Sequence, residues 1–170
     1  MVVLRKIINI TNKVSDRLGI LCAWLLSLLV LTICVDVLLR YVFNNSMPAL
    51  SEFEWHLFSF VILMGMGYTL MHHRHVRVDV FYHRFSEKTK LWIDLIGTLI
   101  LLIPFCVILI KSSIPYAESS FQFNERSPDP GGLPFRWIIK YCIPIGFTLL
   151  LLQSIAWLLS IIQKLFFRKL

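Results

Sequence analysis

The chain has 170 residues, 57% of them hydrophobic and only 16% charged, and its mean hydropathy is +0.73. A water-solvated domain carries about a quarter of its residues as charge, so a soluble globule is excluded and the bilayer is the solvent to reason in. The net charge of +7 does not point to nucleic acid, because the basic residues lie between apolar blocks and form no stripe interleaved with aromatics.

In chain order, residues 1–17 come first. Val3, Leu4, Ile7, Ile8 and Val14 recur at helical spacing, while Arg5, Lys6, Asn9, Asn12, Lys13 and Arg17 fill the other face. This pattern predicts an amphipathic helix lying in the headgroup layer. The apolar block 18–39 follows. It exceeds the roughly 7–15 residues of a signal-peptide core and no A-x-A-like cleavage site follows it, so it reads as a retained span. Further spans are predicted at about 55–71, 91–110 and 137–162, each near the ~20 residues that cross a bilayer. The expected architecture is a single all-α membrane domain over 1–170, with four transmembrane helices behind an N-terminal interfacial helix.

Pro104 in span three and Pro144 in span four predict kinks, since neighbouring helices can satisfy the carbonyls that proline frees. Gly65, Gly67 and Thr69 in span two predict close approach of another backbone. Ser86 reads as the N-cap that launches span three. Val78, Val80, Phe81, Tyr82 and Phe85 predict a stretch of the preceding loop hugging the membrane surface. The segment from Ser112 to Arg136 is expected to be a long loop, its Ser127–Pro134 portion dense in turn residues.

Basic residues set the expected orientation. Twelve lie in the N-terminal segment, the loop between spans two and three and the C-terminus, against five on the opposite side. The positive-inside rule then places both termini in the cytoplasm.

Catalytic chemistry finds no foothold, and the chain reads as a non-enzyme. No nucleophile with its base, phosphate-cradling loop or paired-carboxylate site is visible. The four cysteines form no C-x-x-C pair, so neither a zinc site nor a disulfide framework is expected. His72, His73 and His75 sit beside Arg74 and Arg77, whose charge opposes a metal cation, and no second span offers a histidine to pair with His56 around haem. The ionisable residues that remain are Asp36 and Arg40, spaced i, i+4 with the acid first, and Glu52 and Glu54 at the start of span two. They predict a charge stitch between the two helix ends, with Arg40 shared between Asp36 and one glutamate. A proton- or cation-coupling path is the sharper alternative, opposed by the lack of any acid at the midplane, where carrier sites lie.

Four segments carry a family resemblance. Arg40-Tyr41-Val42-Phe43-Asn44 closes span one. Ser51-Glu52-Phe53-Glu54-Trp55 opens span two. His75-Val76-Arg77-Val78-Asp79 follows it. The run from Glu125 through Ser127 to Pro134, with Trp137, Lys140, Pro144 and Gly146, leads into span four. In order and in register with the spans, these resemble the DctQ-like small membrane subunits of tripartite ATP-independent periplasmic transporters. Many members have adjacent glutamates before span two; here Phe53 separates them.

The resemblance implies an accessory subunit in the bacterial inner membrane that braces the scaffold of a large multi-span permease. A periplasmic substrate-binding protein delivers organic acid, and sodium and substrate sites reside on the large subunit. This chain is expected to hold no cofactor and no nucleic acid, with membrane lipids as its other partners. The structural or interface candidates are Asp36, Arg40, Glu52, Glu54, Trp55, His75, Asp79, Glu125, Ser127 and Pro134. Two other readings stay open at this point: an autonomous oligomeric exporter or channel built around Asp36, and a membrane anchor of a redox complex.

The charge asymmetry is directly testable. Alkaline phosphatase fused after Leu170 is expected to be inactive and a cytoplasmic reporter there active. Robust phosphatase activity at that position refutes the orientation.

Overall fold

The computed structural model describes residues 2–72 and 85–166, and every element in them is helical. Helix α1 covers Val2–Val42 and α2 covers Pro48–Met71. Helix α3, Glu87–Gly97, runs through a π-helical turn at Thr98–Leu102 into α4, Ile103–Gln122. Helix α5, Trp137–Phe166, is the hub and touches every other helix. Among the described residues three stretches are long and apolar enough to cross a membrane: Ile8–Val42, Glu87–Gln122 and Trp137–Leu165. Helix α2 is not among them. Its 24 residues include Ser51, Glu52, Glu54 and His56, and it lies between α1 and α5.

Two expected boundaries are corrected. The separate interfacial helix over 1–17 is instead the first part of one unbroken 41-residue helix. Its polar face has a partner inside the protein: the buried Ser15 hydroxyl donates to Gln153 Oε1 at 2.8 Å, and Gln153 Nε2 donates to Asn12 Oδ1 at 2.9 Å. Both ends of the Gln153 amide are thereby satisfied within an apolar helix, where an unpaired amide is costly.

The third span also runs further than expected. Helix α4 continues to Gln122, passing Pro115, so the connection to α5 covers 123–136 rather than 112–136. The Ser113 hydroxyl donates to Leu109 O at 2.6 Å. Cys106, Ser113, Ala117 and Ser120 recur at helical spacing and are buried, giving the extension a packed face against α5.

The cap expected at Ser86 holds. Ser86 Oγ accepts the Thr89 N–H at 3.2 Å and caps α3. Helix α5 runs through Pro144 without a break. Pro104 lies just after the π turn, at the start of α4. A proline ring collides with the carbonyl four residues earlier, and the wider π turn places that carbonyl elsewhere. Cys22, Cys34, Cys106 and Cys142 are free thiols, and only Cys34 is exposed.

Just past the end of helix α1 at Val42, Asn44 sits at φ 48°, while the Asn45 N–H closes back on Leu39 O at 3.0 Å. This closure needs a left-handed residue after the last turn, and asparagine tolerates one. The final asparagine of the Arg40–Asn44 segment is thus a helix stop.

Close backbone approach holds α2 in place. A Cβ on Gly146 would lie 2.8 Å from Leu63 O, and one on Gly67 would lie 3.3 Å from Ser15 Oγ. Gly65 has only Cys22 Sγ at 4.0 Å, so of the expected close-packing residues Gly67 carries the role. Thr69 spends its hydroxyl on its own helix, donating to Met66 O at 2.8 Å.

The tight fit at Gly146 predicts an asymmetry between glycines. Gly146→Val is expected to destabilise the folded protein in detergent by about 1–3 kcal/mol, the usual cost of overpacking. Gly97→Ala is expected to be neutral, because nothing lies within 4 Å of a Cβ there. Equal thermal midpoints for the two variants refute the close-packing account.

Candidate functional site

The chemistry-bearing side chains gather where α1 ends, α2 begins, α4 ends and α5 begins. Glu52, in the second turn of α2, reaches the α4–α5 connection. One carboxylate oxygen accepts the Ser127 hydroxyl and the other accepts the Leu133 N–H at 2.6 Å. The loop is shaped to present these donors. Gly132 N donates to Asp129 O at 3.0 Å, closing a turn with Pro130 and Gly131 at its centre. Gly131 sits at φ 80°, the backbone that glycine accepts freely at the third position of such a turn. Ser127 N donates to Leu133 O at 3.2 Å, and Asp129 N donates to Ser127 Oγ at 3.1 Å. A Cβ on Gly132 would collide with the Ser127 side chain and come within 2.8 Å of Glu52 Oε2, so the carboxylate fits only against glycine.

A second link lies beside the first. Glu125 pairs with Lys140 of α5, and the Lys140 ammonium also sits 4.2 Å from the centre of the Tyr116 ring of α4. Arg136 N donates to Glu125 O at 3.1 Å. Glu52 precedes the apolar 55–71 stretch and Glu125 lies in the connection. The Ser127 and Leu133 donors hold the Glu52 carboxyl below its usual range, against the opposing cost of burial, with Arg136 and His56 assisting. The Lys140 ammonium does the same for Glu125.

On the far side of α2, Arg40 pairs with the buried Asp36 and reaches Ser51 Oγ at 3.4 Å. Glu54 faces this pair electrostatically. Asp36 Oδ1 and Glu54 Oε1 are both buried without a hydrogen-bond partner. Asp36 and Arg40 therefore meet as the sequence spacing indicates, Glu54 lies in their field, and Glu52 is committed to the α4–α5 connection. Trp55 is exposed beside them and Pro134 is exposed on the loop. His75 and Asp79, with His73, Arg74, Arg77 and the 78–84 strip, lie outside the described residues.

Sequence reasoning missed two features. One is the direct contact between the segments at 51–55 and 125–134, which lie about 75 residues apart. The other is a cleft of about 730 Å3 between α2, α4 and α5, with Arg136, Lys140 and His56 among its lining residues. The His56 ring meets Glu52 O through Nδ1 at 2.6 Å.

Long apolar helices with exposed large side chains, such as Trp24 and Leu101, and ion pairs that lie toward helix ends define a multi-pass membrane protein. Its relatives specify the class further. Residues 29–164 match the family described as tripartite ATP-independent periplasmic transporters, DctQ component, and the chain belongs to that family. It is 26% identical over 127 residues to a Haemophilus influenzae protein assigned as a TRAP transporter small permease protein, covering 75% of this chain and 79% of that one.

The Glu52 clasp predicts acid sensitivity. Both carboxyls titrate below their ordinary value of 4.5 when folded. Their stabilisation is therefore complete above that value and lost as pH falls below it. Hydrogen exchange at the Leu133 amide, corrected for its intrinsic rate, is expected to accelerate in that acid window. At pH 7 Glu52→Gln is expected to accelerate it about ten-fold, the loss of one charge-assisted bond at a partly exposed site. Unchanged protection in both tests refutes the clasp.

Proposed function

We propose that this chain is the small accessory subunit of a sodium-coupled transporter for organic acids in the bacterial inner membrane. It crosses the bilayer four times with both termini in the cytoplasm, α2 being the second span, and it braces the scaffold of a large permease that carries the substrate and sodium sites. A periplasmic binding protein supplies the substrate.

The observation that carries this reading is where the polar chemistry sits. Every described ion pair lies near a helix end and joins neighbouring turns or neighbouring elements, whereas carrier sites sit at the midplane on broken helices. Asp36 is held by Arg40 on its own helix, which suits a brace better than an ion path. Family membership and the similarity to a small permease protein supply the class of machine. Sodium coupling and an organic-acid substrate follow from the family resemblance.

The test is reconstitution. The purified chain alone in liposomes is expected to move no organic acid under a sodium gradient. Affinity purification in mild detergent is expected to bring a large multi-span membrane protein with it, and uptake is expected only when that protein and a binding protein are present. Robust uptake by the lone chain overturns the proposal and favours an autonomous carrier.

A further inference from the structure

The cleft between α2, α4 and α5 has a shape and charge pattern that the bracing role does not use. Its floor is apolar, formed by Phe58 and Ile62 of α2 with Ile139 and Ile143 of α5. From Trp55 to Ile62 the wall runs about 10 Å along the α2 axis. Trp55 and Tyr116 also line the cleft, residue types enriched at membrane–water interfaces.

The charges at the mouth are not equivalent. Glu52 is occupied by Ser127 and Leu133, and Glu125 and Lys140 are occupied by each other. Among the described residues, two charged side chains lining the cleft remain without a side-chain hydrogen bond or ion pair. Arg136 is half-buried and Asp129 is exposed. Arg136 faces Glu52 and Glu125 only through longer-range attraction. One spare cation and one spare anion at the polar rim of an apolar trough form a complementary pair for a zwitterion with a hydrocarbon tail.

We propose that the cleft binds one zwitterionic phospholipid of the phosphatidylethanolamine type. Its phosphate lies on Arg136, its ammonium group on Asp129, and an acyl chain lies against Phe58, Ile62 and Ile143. Arginine's fork suits a phosphate oxygen pair, and pockets of this size are typical of small-ligand sites. The bound lipid fills the space between α2 and the α4–α5 connection that the Glu52 clasp closes on one side. This inference rests on the chain being a membrane subunit; carbonate extraction tests that reading separately, since release of the chain into the soluble fraction would end the membrane reading itself.

The experiment uses the chain with whatever membrane partner co-purifies, reconstituted in nanodiscs of phosphatidylethanolamine and phosphatidylglycerol and then delipidated by detergent washing. Native mass spectrometry is expected to find a single phosphatidylethanolamine retained. Arg136→Gln is expected to weaken retention by about ten-fold, the equivalent of one charge-assisted hydrogen bond. Ile62→Trp, which fills the floor, is expected to abolish retention while helicity by circular dichroism stays unchanged. A photocrosslinker at Ile62 is expected to capture lipid. Capture of a polypeptide there, preferential retention of phosphatidylglycerol, or equal retention by wild type and both variants overturns the proposal.

Discussion

Close approach of α2 to α5 is the constraint on which the remaining geometry depends. Between apolar helices in lipid there is no hydrophobic drive to associate, so packing distance decides the contact. Gly146 lets the Leu63 backbone lie where a side chain would otherwise stand, and Gly67 does the same for Ser15. With α2 held this close, its first turns project to the level of the α4–α5 connection. Only then can Glu52 meet Ser127 and Leu133. The Ser15–Gln153–Asn12 bonds secure the adjoining α1–α5 contact further along the bundle. Small residues thus set the spacing, and polar groups lock it at two depths.

The two locks differ in exposure to water. The Gln153 amide lies in apolar surroundings, where an unmade hydrogen bond costs more than a made one gains. It therefore enforces the pairing of α1 with α5 chiefly by penalising alternatives. The Glu52 and Glu125 links lie at the helix ends, where water and acid can reach them, and their strength follows pH. A subunit with one pH-insensitive and one titratable joint keeps its helix register while the connection facing solvent can respond.

Element positions were legible in the sequence because apolar blocks of span length leave little choice, and the Ser86 cap was legible from local chemistry alone. Helix ends were not. A hydropathy block stops where polar residues begin, but α4 continues through Ser112, Ser113 and Pro115 because those hydroxyls bond carbonyls of their own helix and the small side chains pack on α5. Likewise the polar residues ahead of Leu18 read as the headgroup-facing side of an interfacial helix, yet Asn12 and Ser15 are turned toward Gln153. No local pattern marks Gln153 as their partner; it stands beside Ser154 in an otherwise apolar run, 138 positions from Ser15. The contact between the 51–55 and 125–134 segments was hidden for the same reason. Each read as a separate motif, and only the tertiary fold makes them one feature.

The divergence of Glu52 and Glu54 was, by contrast, present in the sequence and can be derived from helix geometry. Successive residues on an α-helix are rotated by about 100°. Two glutamates separated by Phe53 therefore point about 200° apart and cannot share one arginine on a neighbouring helix. One must face α1 and the other must face away. Glu54 lies in the field of Asp36 and Arg40, and Glu52 takes the loop donors on the opposite side. Adjacent glutamates would lie only about 100° apart, which would narrow the range of directions the pair can serve. The interposed Phe53 thus converts two equivalent acids into a divided pair, one facing the close of α1 and one tying α2 to the approach of α5. That division places the start of α2 at the junction of all the described loops at this end of the bundle.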